Sequence, residues 1–135
     1  MHCFDTDVVI AMLRGSAPGS AVRAFAALAP AEQSTTAVTV AELVYGARKR
    51  GGDLLAQRVG NAIRQFAHVL PADERAGRVC GRLRADLEAK GQRLDAADLW
   101  IASICLARDA TLVPGNVRHF ECVPGLRIEN WLAPG

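Results

Sequence analysis

Short apolar runs alternate along the chain with longer stretches in which apolar and polar residues recur at helical spacing. Residues 2–4 are brief and largely apolar, which predicts a strand ending at the first aspartate of FDTDVVI. The run from Val8 to Leu13 is continuous and apolar, so periodicity alone fits either strand or helix. Asp7 precedes it and can accept from the free N–H groups of a first helical turn. A helix over 8–14 capped by Asp7 is therefore expected, stopped by Gly15 and Pro18. Residues 20–29 are alanine-rich and predict a helix ended by Pro30, and the β-branched stretch 35–39 predicts a strand. Thr39 and Glu42 stand in the T-x-x-E order of a capping box, opening a helix to about residue 49 that Gly51-Gly52 ends. A helix over 53–67 and a short strand over 68–70, before Pro71, follow.

The clearest periodicity lies in 72–90. Ala76, Val79, Cys80, Leu83 and Leu87 form one apolar stripe, while Glu74/Arg78 and Arg84/Glu88 pair at i,i+4 on the other face. Gly91 is placed to stop this helix, and Asp95 to cap the next, which runs to about 108. Residues 111–113 predict a strand up to Pro114-Gly115, and 126–128 a last strand after the Pro124-Gly125 turn. Short apolar strands separated by helices imply an α/β fold with a parallel sheet covered on both faces. Ligands of such folds bind at the carboxyl ends of the strands. That edge would carry Asp5, Thr39, Glu42 and the segment Pro114-Gly115-Asn116.

Composition narrows the class. The 135 residues, half of them hydrophobic, suit one domain over 1–135 with a sizeable core. Aromatics make up only 5%, so aliphatic and alanine contacts are expected to fill that core. A net charge of +2 permits nucleic-acid binding without arguing for it, since a dedicated non-specific binder carries a stronger basic excess. The one basic cluster is Arg48-Lys49-Arg50; with Arg14 it offers phosphate contacts, or simply a solvated surface. Cys3, Cys80, Cys105 and Cys122 form no CxxC pair and sit in apolar settings, which predicts free thiols and not a zinc or redox site. Free thiols suit a reducing cytoplasm. There is no basic start followed by an apolar run of the signal-peptide kind, and no apolar run long enough for a membrane.

Asp5, Glu42 and Asp98 each follow a strand or open a helix. Hard cations such as Mg²⁺ are held by one or two carboxylates plus water, and an ion so held activates water and stabilises charge on a phosphoryl oxygen. A carboxylate cluster on a near-neutral domain thus suits metal-dependent phosphoryl hydrolysis. Local capping explains two of the three equally simply: Glu42 as partner of Thr39, and Asp98 as partner of Asp95 in D-A-A-D. Both readings stay open on spacing alone. Asp5 is less readily explained away, because Asp7 can serve as the cap. His2, His68 and His119 have no acid or thiol partner at telling spacing and read as incidental; Trp100 and Trp131 read as packing.

Five stretches in order resemble the PIN-domain family, more narrowly its VapC-type ribonuclease toxins: FDTDVVIAML, VTVAELVYGA, VLPADERAGRVCGRLRADLEAKG, LDAADLWIASICLARDATLV and VPGLRIENW. The resemblance implies a three-layer α/β/α sandwich with a central parallel sheet. It implies an endoribonuclease in which Asp5, Glu42 and Asp98 bind Mg²⁺ or Mn²⁺ and activate the water that cleaves RNA. The family's fourth acidic position falls on Asn116, which keeps an oxygen donor, loses a charge, and implies weaker metal holding. Thr6 matches the residue beside the first acid, where its hydroxyl orients a carboxylate or makes a local turn. Pro114 stands where the family usually has Thr or Ser, removing a hydroxyl and an N–H from the rim. The resemblance further implies a small cognate antitoxin that blocks the site, a homodimer, and higher-order assembly with that antitoxin. Two alternatives differ in kind. One is a degenerate PIN domain that binds antitoxin or RNA without cutting. The other is a haloacid-dehalogenase-like phosphatase, which FDTD resembles through its D-x-D but which also needs a lysine, here only Lys49 or Lys90.

Overall fold

β1 (His2–Phe4) is the second strand from one edge of a four-stranded, all-parallel sheet of order β3-β2-β1-β4. The computed structural model describes residues 1–133. After β1 come α1 (Thr6–Arg14) and α2 (Gly19–Ala27), then a 3₁₀ turn at Pro30–Glu32 leading into β2 (Gln33–Thr36). α3 (Ala37–Arg50) and α4 (Asp53–Arg64) connect β2 to β3 (His68–Leu70). α5 (Glu74–Ala89) and α6 (Ala96–Ala107) carry the chain back to β4 (Thr111–Val113) on the other side of β1. The direction of strand addition therefore reverses between β1 and β4, the position at which open α/β sheets leave a crevice.

Strand alternation divides the core into two layers. Cys3 and Leu112 face α5 and α6, packing with Cys80, Leu83, Ile101 and Ile104. Phe4 and Val113, their neighbours along the strands, face Val8, Val9, Leu43, Val59 and Phe66 on the opposite side. This is the expected three-layer α/β/α arrangement. Aromatics, though scarce, are concentrated in the second layer. The Phe4 ring lies 5.0 Å from Phe25 and 5.1 Å from Trp131, edge to face, and 6.1 Å from Phe66. Three of the four phenylalanines thus meet at one point beneath the end of β1.

Several predicted boundaries move, each for a local reason. The first helix begins at Thr6, and its N-cap is Asp5, whose carboxylate accepts from the Thr6 N–H; Asp7 lies inside the first turn and is not the cap. The second strand is Gln33–Thr36, not 35–39, because the Thr36 hydroxyl accepts from the Thr39 N–H at 3.1 Å and starts α3 three residues earlier. The Thr39–Glu42 capping box is accordingly absent. Gly15 and Gly91 end α1 and α5 with left-handed backbone, φ 70 in each case, which suits glycine. The last predicted strand, 126–128, is reduced to one parallel bridge between Ile128 and Leu112. Among the described residues no helix is long and apolar enough to cross a membrane.

β2 is an interior strand made of polar residues, and its side chains are satisfied by its neighbours. Ser34 Oγ donates to the His2 carbonyl at 2.7 Å and Thr35 Oγ1 to the Phe4 carbonyl at 2.8 Å. Buried hydroxyls so paired avoid the penalty of an unmade bond.

Because Phe4 anchors the aromatic layer, Phe4→Ala should lower the unfolding free energy in urea by about 3–5 kcal/mol. Tyr45→Ala, at a side chain 64% exposed, should cost under about 0.5 kcal/mol. Equal losses from the two would show that the aromatic cluster does not anchor the layer.

Candidate functional site

Asp5 leaves the sheet where β1 and β4 diverge. Its N–H donates to the Val113 carbonyl at 3.1 Å, fixing it in the crevice, and only 6% of the residue is exposed. Oδ1 accepts from the Thr6 N–H at 2.7 Å; Oδ2 lies 3.4 Å from the Gly115 N–H. Pro114 is fully buried and has no N–H to give, so the next residue supplies the donor on the β4 side. Gly115 is required there for close approach. A Cβ on it would fall 2.3 Å from the Asp7 Cβ, far inside any real contact.

Thr6 connects Asp5 to Glu42, its N–H donating to the first and its hydroxyl to the second, and the hydroxyls at the start of α3 extend the contact. The Thr6 hydroxyl donates to Glu42 Oε1 at 2.6 Å and lies 3.1 Å from the Thr39 hydroxyl, which in turn lies 3.4 Å from that of Thr36. Glu42 is the sixth residue of α3, too deep to serve its N-terminus, so capping does not account for it. Asp98 is the third residue of α6. Asp95 does cap that helix, accepting from the Asp98 N–H at 2.9 Å. The Asp98 carboxylate turns elsewhere, with Oδ2 3.3 Å from His119 Nδ1. Asn116 begins the 3₁₀ turn Val117–Phe120, and its Oδ1 accepts from the Arg118 N–H at 3.1 Å.

The electrostatics are one-sided. Burial pushes the Asp5 carboxyl up to about 6; the Thr6 and Gly115 N–H groups oppose the rise, and the negative charges of Asp7 and Asp98 add to it. Asp98 also rises to about 6, by burial first and then by Asp95, with His119 opposing and Glu42 and Asp7 adding. Asp5, Glu42, Asp98 and Asp7 are thus near enough to act on one another.

A groove of about 280 Å³ runs from Glu42 between α1, α3 and α4, with Arg14, Arg50 and Arg58 on its rim and Ile10 and Leu13 on its floor. Arg14 and Arg50, two of the sequence's candidate phosphate contacts, meet there. A larger cavity of about 440 Å³, beside Cys80, Arg84 and Trp100, is lined by none of Asp5, Glu42 and Asp98. Sequence reasoning missed His119, although its spacing of three from Asn116 within one turn was a usable signal. It also missed Asp7 as a charge of the site.

The PIN domain family profile matches residues 2–124. The tRNA(fMet)-specific endonuclease VapC of Salmonella typhimurium is 35% identical over 99 residues, covering 71% of this chain and 73% of that protein. Ribonuclease VapC2 of Rickettsia felis is 32% identical over 96 residues, covering 71% and 72%. In a crystal structure of DNA-bound VapBC from Salmonella typhimurium, one chain superposes with a TM-score of 0.87 at 30% identity, covering 96% of this chain and 97% of that one. The strand order and the acid-lined crevice define a PIN domain; the chain belongs to that family and, within it, to the VapC-type proteins.

Two outcomes follow from this geometry. A carboxyl whose pKa is higher folded than unfolded favours the folded state when protonated. Asp5 and Asp98 therefore withdraw stability as pH rises from about 4 through about 6. In buffer free of divalent ions, thermal unfolding should occur at higher temperature at about pH 5 than at about pH 7.5, and Asp5→Asn should flatten that difference. A slope unchanged in Asp5→Asn would place its origin elsewhere. Gly115→Ala should cost about 1–3 kcal/mol in urea unfolding through overpacking against Asp7; an unaltered midpoint would contradict the close approach.

Proposed function

We propose that the chain, acting as one domain over residues 1–135, is a metal-dependent endoribonuclease toxin that hydrolyses RNA phosphodiester bonds and is neutralised by a cognate antitoxin. The observation that carries this reading is the pair Asp5 and Asp98. Both are carboxyls raised by burial and by acidic neighbours, at the crevice where strand order reverses. Negative charge gathered this way repels a phosphodiester unless a cation intervenes. The names of the relatives, an endonuclease and a ribonuclease, supply the substrate class, and the VapBC assembly supplies the kind of partner.

The donor set fits a hard divalent ion, since it is all oxygen and lacks thiolate. Among the described residues no group of three His, Cys, Asp or Glu side chains is arranged to hold a metal ion as it stands. On this reading Mg²⁺ or Mn²⁺ would be held by Asp5, Asp98 and Glu42 with water completing the shell. Bound there, such an ion supplies an activated water and charge stabilisation at the phosphoryl oxygen. The chain's own groups do the rest. Thr6 fixes the Glu42 carboxylate by donating to it, the Gly115 N–H holds the second oxygen of Asp5, and Arg14, Arg50 and Arg58 position phosphates along the groove. The same groove, apolar on its floor and basic on its rim, suits an antitoxin segment that blocks the acids. We further read the active form as a cytoplasmic homodimer.

Asp5→Asn should lower RNA cleavage by at least about 100-fold, the scale of losing several kcal/mol of transition-state stabilisation. It should also relieve growth arrest when expressed without antitoxin. Asp7→Asn keeps the contact with Gly115 and removes only a charge, so a loss under about 10-fold is expected. Undiminished arrest and cleavage by Asp5→Asn would overturn the assignment.

A further inference from the structure

A second hollow adjoins the acids from the Asp98 side. It measures about 360 Å³, and Arg93, Asp95, Asp98 and Arg118 are among its lining residues. It shares no lining residue with the groove that starts at Glu42. Each end of the acid set is therefore met by its own arginine-bearing hollow. Arginines elsewhere are committed: Arg78 pairs with Glu74, Arg84 with Glu88, Arg108 with Asp73 and Arg127 with Asp109. Among the described residues Arg93 and Arg118 have no such acid partner. Their backbones, in contrast, are pinned. The Gln92 N–H donates to the Leu87 carbonyl at 2.8 Å, Leu94 packs on the core beneath α5 and α6, and Asp95 caps α6, so Arg93 stands between anchors. The Arg118 N–H donates to Asn116 Oδ1, and Phe120, two residues on, is buried. Asp95 is already held by the start of α6, and Asp98 is assigned to the ion. The charge left over in the hollow is then positive.

We propose that this hollow is a second phosphate subsite, in which Arg93 and Arg118 take an RNA phosphate on the side of the scissile bond opposite to that served by Arg14 and Arg50. The inference deepens the proposed function and rests on it. A strand laid across the acids presents a charged phosphate on both sides of the bond to be cut, and one groove can serve only one of them. A guanidinium matches a phosphate with two parallel N–H donors, and an anchored backbone lowers the cost of ordering the side chain on binding. Such contacts set the register of the strand without reading its bases.

Two measurements test this. The first follows binding of a single-stranded RNA by Asp5→Asn across KCl concentrations at fixed Mg²⁺. Adding Arg93→Ala and Arg118→Ala should weaken binding about 10-fold or more. It should also flatten the dependence of log K on log[KCl], by roughly 0.7 per lost phosphate contact. Arg75→Ala with Arg82→Ala removes the same charge from exposed positions of α5 outside both hollows, and should change affinity less than about threefold. Equal losses from the two pairs would reduce the effect to net charge and overturn the subsite. The second measures cleavage, in a chain that keeps Asp5, of RNAs carrying one uncharged methylphosphonate at each position near the cut in turn. At a position on one side, the loss seen with the unsubstituted chain should vanish in Arg93→Ala/Arg118→Ala. Additive losses at every position would overturn the proposal. So would a double variant that binds and cuts RNA as before but escapes the antitoxin, which would make the hollow a protein-docking face. If the unsubstituted chain cuts RNA and the double variant matches it, the subsite fails and the ribonuclease reading stands. If the unsubstituted chain neither binds nor cuts RNA, both fail.

Discussion

A carboxylate buried at a strand end, with backbone N–H groups as partners and acids as neighbours, is the constraint around which this molecule is arranged. Burying an ionised group without a counter-charge is expensive, and hydrogen bonds offset only part of it. The fold supplies that part from two directions. α1 presents the Thr6 N–H and the positive end of its dipole; the turn after β4 presents the Gly115 N–H. The remainder stays uncompensated by the chain and is answered by a proton or by a cation.

The surrounding hydroxyls serve the same end. Thr35 ties the side chain of β2 to the last carbonyl of β1, and Thr36 caps α3 one residue later. Thr39 and Thr6 continue from that cap to Glu42. A polar interior strand is an unusual choice in a sheet buried on both faces, where aliphatic runs are the norm. Here it carries the registration between two helix starts, so the second acid is set by the same local contacts that begin α3.

The architecture was largely legible because its signals are local: the stripe of α5, the glycine stops, the short strands before proline. The acids were legible as residues, but their environment was not. Asp7 looked like the cap because it directly precedes an apolar run; Asp5 takes that place because the strand ends one residue before it. Thr39 looked like a cap because T-x-x-E is a true capping pattern; Thr36, three residues earlier, is the cap instead and accepts from the N–H of Thr39 itself, which lies inside the first turn. Both errors concern which of two similar residues begins a helix, and strand pairing decides that. His119 was passed over for a related reason. Its partner Asp98 is 21 positions away in sequence and meets it only after α6 and β4 have packed. The segment 126–128 had strand composition, yet it finds only the outer edge of β4 and forms a single bridge there.

Strand order has a consequence for the order in which the site can come into being. Asp5 is made more than a hundred residues before β4, one wall of its crevice. Contacts so distant in sequence close late, since the intervening loop must lose its freedom before they form. While the polypeptide is still growing from a ribosome, the first two strands and their helices have emerged without the Val113 carbonyl or the Gly115 N–H that complete the pocket. A nascent chain is therefore harmless to the RNA that surrounds it on the proposed reading, and it becomes competent only once its last strand slides in beside its first.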